Sequence, residues 1–109
     1  MTVRLDRPLV ADGDPVLVQD MRDALTSAPL VFADGVTQSF TADGKTTYVE
    51  YGWPTEGEWA VVTNGEISSF WPPNHRAHYA LRWIVKDGTV TGLSFTELKH
   101  GDRFVGVYE

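Results

Sequence analysis

The sequence predicts a mainly β fold: an antiparallel up-and-down meander of about seven to eight strands, curled into a barrel, with one N-terminal α-helix. Three observations predict it. Turn signals recur at short intervals from Asp34 onward, the stretches between them are rich in Val, Thr, Tyr, Phe and Trp, and only one segment has a helical period. Asn-Gly and Asp-Gly pairs supply the positive φ angles that tight hairpins need. β-branched and aromatic side chains suit a pleated, half-buried surface. Short connections make successive strands antiparallel neighbours. No helical pattern separates them, so parallel βαβ units are not expected.

The helix comes first, at about residues 15–27. Asp14 is a good N-cap and Pro15 a good first helical residue, where a missing N–H costs nothing. Leu17, Met21, Ala24, Leu25 and Ala28 then recur with the helical period, opposite Gln19, Asp20, Arg22 and Asp23. Pro29 ends the run.

Strands are expected at 36–42, 46–53, 58–63, 66–71, 78–86, 89–97 and 103–108, with residues 2–5 as an eighth. They are punctuated by Asp43-Gly44, Glu56-Gly57, Asn64-Gly65, Asp87-Gly88 and His100-Gly101-Asp102. Side chains alternate along a strand, so parity assigns faces. Tyr79, Leu81, Trp83 and Val85 are expected inward, as are Leu93 and Phe95, with Glu97 sharing their parity at the strand's end. Trp59 and Val61 are expected inward on the third strand. On the second, Val49, Tyr51 and Trp53 form the inward set against Tyr48 and Glu50. The last strand is apolar on both faces, with Val105 and Val107 opposing Phe104 and Tyr108.

A chain of 109 residues and no cysteine is expected to form a single domain, 1–109, without disulfides or thiolate chemistry. At this size folding buries roughly 65% of the chain's exposable surface. Residues 1–70 carry four basic and eleven acidic groups, while residues 71–109 carry five and four. No basic stripe is available to neutralise phosphates, so nucleic acid is not an expected partner. Met1–Arg7 lacks the apolar stretch of a signal peptide, and no run approaches the roughly 20 residues of a membrane span, so a cytoplasmic protein without a membrane partner is expected.

One inward tryptophan stands in Gly57-Glu58-Trp59, and an arginine, Arg103, opens the last strand in Gly101-Asp102-Arg103-Phe104. A Gly-Xaa-Trp with an arginine packed over its indole resembles the signature of lipocalins and the broader calycin barrels, particularly small bacterial members of the MoaF type. Here Gly-Xaa-Trp falls on the third strand, whereas lipocalins carry it on the first. The resemblance implies that Trp59 and Arg103 close one end of a barrel.

All four tryptophans lie between Trp53 and Trp83, and Trp71-Pro72-Pro73-Asn74-His75-Arg76-Ala77-His78-Tyr79 holds two of the three histidines. Pro72-Pro73 cannot continue a central ladder, so it is expected to break the sheet and open the barrel there. Trp53, Trp71, His75, Trp83 and Phe95 are the expected ligand-binding residues. His78, Tyr79 and Glu97 are the expected acid–base group, because the hairpin at Asp87-Gly88 sets His78 level with Glu97 and Tyr79 level with Thr96. His75 and His78 lack a third ligand nearby, so no metal is expected, and no phosphate loop or other cofactor motif is present. The expected activity is binding of a small apolar or aromatic molecule. The alternative is a small isomerase, cyclase or dehydratase working through the acid–base group. A homodimer is expected, since seven strands close poorly and the last is apolar on both faces.

Overall fold

Each strand pairs antiparallel with the one before it, and the last pairs with the first, which closes the meander into a barrel. The computed structural model describes residues 10–63 and 65–109. The elements are α1 (Val18–Thr26), β1 (Leu30–Phe32), β2 (Thr37–Phe40), β3 (Lys45–Glu50), β4 (Trp53–Thr63), β5 (Glu66–Trp71), β6 (His75–Lys86), β7 (Thr89–Glu97) and β8 (Arg103–Tyr108). The strand expected at residues 2–5 and the Asn64 half of its turn lie outside the described residues.

A strand not expected from the sequence is β1, a three-residue segment between Pro29 and the Asp34-Gly35 turn. Leu30 pairs with Tyr108, Val31 with Val107 and Phe32 with Gly106. Gly106 permits this closure, because a Cβ there would lie 3.2 Å from the Phe32 ring. Closure removes the strand edges, one of the two grounds for expecting a homodimer; the other, apolar side chains on both faces of the last strand, remains, with Phe104 and Val107 exposed.

The helix is shorter than expected, and the reason lies in its first residues. Pro15 forms a β-bridge with Arg82, Val16 N–H donates to Leu81 O (3.1 Å), and Trp83 N–H donates to Asp14 O (2.9 Å). Residues 14–16 are thus held along β6, and the helix begins only at Val18 after Leu17. Asp14 turns back to accept from Ala11 N–H rather than capping the helix. Met21, Ala24 and Leu25 are buried, and Leu17 is exposed.

The chain direction sets two unlike ends. At one, α1 and residues 13–16 cover the barrel, packing on Leu30, Trp59, Leu81, Trp83 and Leu93. Tyr108 donates to Ala24 O (2.5 Å), satisfying a carbonyl that a helix C-terminus leaves without an intrahelical partner. At the other end lie the β1–β2, β3–β4, β5–β6 and β7–β8 connections, with no helix over them among the described residues.

Trp59 is buried as expected, but Arg103 is exposed on β8 and does not cover it. Arg22 of α1 does, with its guanidinium carbon 5.4 Å from the indole centroid and a hydrogen bond to Ala42 O. The indole N–H donates to Thr41 O (2.9 Å), and Phe40 meets the ring edge-on at 5.8 Å. Among the described residues no helix is long and apolar enough to cross a membrane.

Candidate functional site

Inside the open half of the barrel is a cavity of about 400 Å³, to which all eight strands contribute a side chain. An eight-stranded barrel is wide enough to hold one small ligand if its interior is not filled. Here the covered half is filled by the core and the open half is not.

The floor is aromatic. Phe95 is stacked on Phe40 at 6.3 Å with 7° between their planes, and it meets Tyr79 edge-on at 6.2 Å and Phe32 at 5.9 Å. Ile67 completes this level. Nearer the mouth, Tyr48 meets Trp71 edge-on at 6.2 Å, and Phe104 stands beside Phe95 through the β7–β8 ladder. Seven of the thirteen lining residues are aromatic. Flat faces therefore dominate the shape that a ligand must match.

Gly57 makes room for one of them. It was expected in a turn, but the turn is Tyr51-Gly52, and Gly57 sits mid-strand opposite Thr46. A Cβ at Gly57 would lie 2.5 Å from Trp71 Cε3 and 2.7 Å from Phe70 O. Without a side chain there, the Trp71 indole lies across β4 and forms part of the wall.

The earlier turn also reverses the expected parity of β3. Glu50 pairs with Trp53 and Tyr48 with Thr55, so Thr46 and Tyr48 face inward and Val49 does not. Trp53 lies past the rim and is 77% exposed, and Tyr51 at the hairpin tip is 92% exposed.

The polar groups of the cavity are few and mostly held in place. Thr46 Oγ1 donates to Ser39 O (2.9 Å), so it must accept from Gln38 Nε2 (2.9 Å). That chain orients the Gln38 amide with Oε1 as the end that serves a ligand. Ser69, only 6% exposed, has a hydroxyl with no hydrogen-bond partner. The Tyr79 phenol is pushed above its ordinary pKa by burial and then by Glu97; the nearby Ser69 hydroxyl opposes this, although it lies outside hydrogen-bonding geometry. The Tyr48 phenol is raised by burial, Glu50 and Asp34. Both phenols remain neutral donors across the physiological range.

The residues expected to form the site divide into three groups. Trp71, Tyr79 and Phe95 line the cavity together. Trp83, 1% exposed, is packed in the core with Val16 and Leu93 and does not reach the wall. Trp53, His75 and His78 are exposed, and His78 has the opposite parity to Tyr79. Pro72-Pro73 does not break the sheet: it forms the β5–β6 turn, and Trp71 pairs with His75 across it.

Glu97 stands opposite Tyr79 rather than His78. The register shifts at Thr91, where Ile84 pairs with Gly92 but Val85 with Val90. This bulge gives Glu97 and Tyr79 one face. The carboxylate is nevertheless engaged by its own loop, accepting from Lys99 N–H (2.9 Å) and His100 N–H (2.7 Å) and lying 3.0 Å from His100 Nδ1. These bonds, the Lys99 amide foremost, hold its carboxyl below the usual glutamate range.

Phe32, Gln38, Phe40, Tyr48, Ile67, Ser69 and Phe104 also line the cavity and were not singled out from the sequence. The alternation Ile67, Ser69, Trp71 was a usable signal, because it places a hydroxyl between two apolar residues of one face. No family model, curated protein or solved structure matches the chain.

Proposed function

We propose that this protein binds a small, flat, largely apolar molecule inside the open half of its barrel. The observation that carries the reading is the aromatic cavity of about 400 Å³, built by all eight strands and left unfilled by the core. That volume falls in the range of about 300–1,000 Å³ typical of small-molecule sites. A well-packed interior has no reason to leave such a space, since close packing is what stabilises a core.

Ser69 and Tyr79 supply the polar element. Tyr79 donates its phenol O–H to a ligand acceptor, and its oxygen at the same time accepts from Ser69. The buried Ser69 hydroxyl, which no protein group bonds, is thereby drawn into one network with the ligand. The ligand class is therefore aromatic or alicyclic, with one neutral hydrogen-bonding group at the level of Tyr79.

The acid–base alternative finds less support. A general base works best with a pKa near neutrality. Glu97 is held low by its loop, Tyr79 is pushed high, and His78 has outward parity. The reading is tested with the neutral dye N-phenyl-1-naphthylamine. Saturable fluorescence enhancement is expected with the wild-type protein and a loss of at least tenfold in affinity with Ser69→Leu, which fills the cavity. Enhancement that is absent, or equal in a folded Ser69→Leu variant, overturns it.

A further inference from the structure

The walls of the cavity are unequal in charge. Asp34 lines it, and among the described residues no lysine, arginine or histidine does. Beside the mouth, between the β1–β2 and β3–β4 connections, lies a second recess of about 310 Å³. It shares Asp34 and Val36 with the cavity and adds Glu50 and Tyr51, again with no basic side chain. Asp34 is fixed at the boundary, because its Oδ1 accepts from Val36 N–H (3.1 Å). On the cavity side of this boundary stand the rings of Phe32, Tyr48 and Trp71.

We infer that the ligand carries a positive charge, as a protonated amine or quaternary ammonium on an aromatic body. The body fills the cavity, and the cation sits at Asp34 and Glu50 against the rings. The inference rests on the binding role proposed above and adds the ligand's charge.

Three physical effects favour this cation over an anion or a neutral analogue. Ring faces attract cations and repel carboxylates. Two exposed carboxylates at the rim place a negative potential over the mouth, and the chain's net charge of −6 adds to it. A ligand carboxylate here would face like charge, with no basic side chain among the described residues that line the cavity or the recess. The field already reaches into the cavity, since Asp34 and Glu50 both raise the Tyr48 phenol after burial has done so. The Ser69 hydroxyl, 6% exposed, without a hydrogen bond and lining the same cavity as Asp34, independently marks the space as one that a ligand completes. Lys99 is on the β7–β8 connection and Arg103 begins β8 with outward parity, and neither lines the cavity or the recess.

Calorimetric titration with three phenols of one skeleton tests the inference: tyramine, 4-propylphenol and 3-(4-hydroxyphenyl)propionate. Tyramine is expected to bind about tenfold more tightly than 4-propylphenol, the scale of one cation–π and one carboxylate contact, and the propionate most weakly. Asp34→Asn retains an oxygen to accept from Val36, so the loop is kept while the charge is removed. It should bring tyramine within about twofold of 4-propylphenol and leave 4-propylphenol unchanged; Glu50→Gln should act in the same sense by a smaller factor. Binding of 4-propylphenol as tight as tyramine, or equal losses for all three ligands in Asp34→Asn, overturns the cationic ligand and leaves the binding role standing. No binding of any of the three, with no dye binding either, overturns both.

Discussion

Replacing Arg22 by alanine separates the observed support of Trp59 from the support that the lipocalin resemblance implied. Arg22 lies 5.4 Å from the indole centroid and also donates to Ala42 O in the β2–β3 connection. It is exposed, so the cation–π contact is worth about 0.5–1 kcal/mol. The hydrogen bond, also solvent-screened, adds about 0.5–1 kcal/mol. Alanine is a slightly better helix former, which returns a few tenths of a kcal/mol. The net expectation is a loss of about 1–1.5 kcal/mol. Arg103→Ala, at an exposed strand position, should stay within about 0.5 kcal/mol. Urea unfolding followed by far-ultraviolet circular dichroism reads both without relying on Trp59 emission, and at a slope of about 1–3 kcal/mol/M the Arg22 loss is resolvable. Arg103→Ala costing as much as Arg22→Ala would refute the reasoning, because the arginine over the indole would then be the wrong one.

Ser69→Ala should be neutral or stabilise the ligand-free protein by up to about 1 kcal/mol, because it removes a buried hydroxyl without a partner; a loss above about 1 kcal/mol would show that the hydroxyl is bonded. The same variant should weaken 4-propylphenol by about threefold to tenfold, the value of one ordinary hydrogen bond. Gly57→Ala relieves about 0.5–1 kcal/mol of glycine entropy but drives a methyl into Trp71 and the Phe70 carbonyl, an overpacking cost of about 1–3 kcal/mol, so net destabilisation with weaker dye binding is expected. An unchanged stability would mean that Trp71 does not lie over β4. The Glu97 carboxyl has a folded pKa below its unfolded one, so its loop contacts are fully present above the ordinary glutamate value and are lost as pH falls through the lower folded value. The amide proton shifts of Lys99 and His100 should titrate together with a midpoint below about 4.3, and this step should vanish in Glu97→Gln. A midpoint at or above that value would contradict the hydrogen-bonded carboxylate.

The architecture was legible because hairpins are local. Asp43-Gly44, Asp87-Gly88 and the alternation from Tyr79 to Val85 act within a few residues, and each appears where the sequence puts it. The departures come from longer range. Gly57 reads as a turn residue, but its role is to admit Trp71 from the next strand. Pro15 reads as a helix start, but its neighbours on both sides are bonded to β6, nearly seventy positions away. β1 is too short to show a period, and its pairing with β8 spans most of the chain. For the cavity, Tyr79 and Phe95 were readable from parity, and Trp71 from the aromatic cluster beside Pro72-Pro73. Trp83 shares their parity, but its depth beneath the helix cannot be read from alternation alone. The one-residue bulge at Thr91 moved Glu97 from His78 to Tyr79, since a single-residue slip exchanges the faces of a whole strand.

The most direct test of the central claim is where a bound ligand sits. Intermolecular nuclear Overhauser contacts from 4-propylphenol, a neutral probe independent of the charge question, report this in solution. The account predicts contacts from the ligand ring to the side chains of Phe40, Tyr79 and Phe95, and none to Trp83 or His78. Contacts confined to Tyr51 and Trp53 on the exposed hairpin, or no contacts at millimolar ligand, would contradict it.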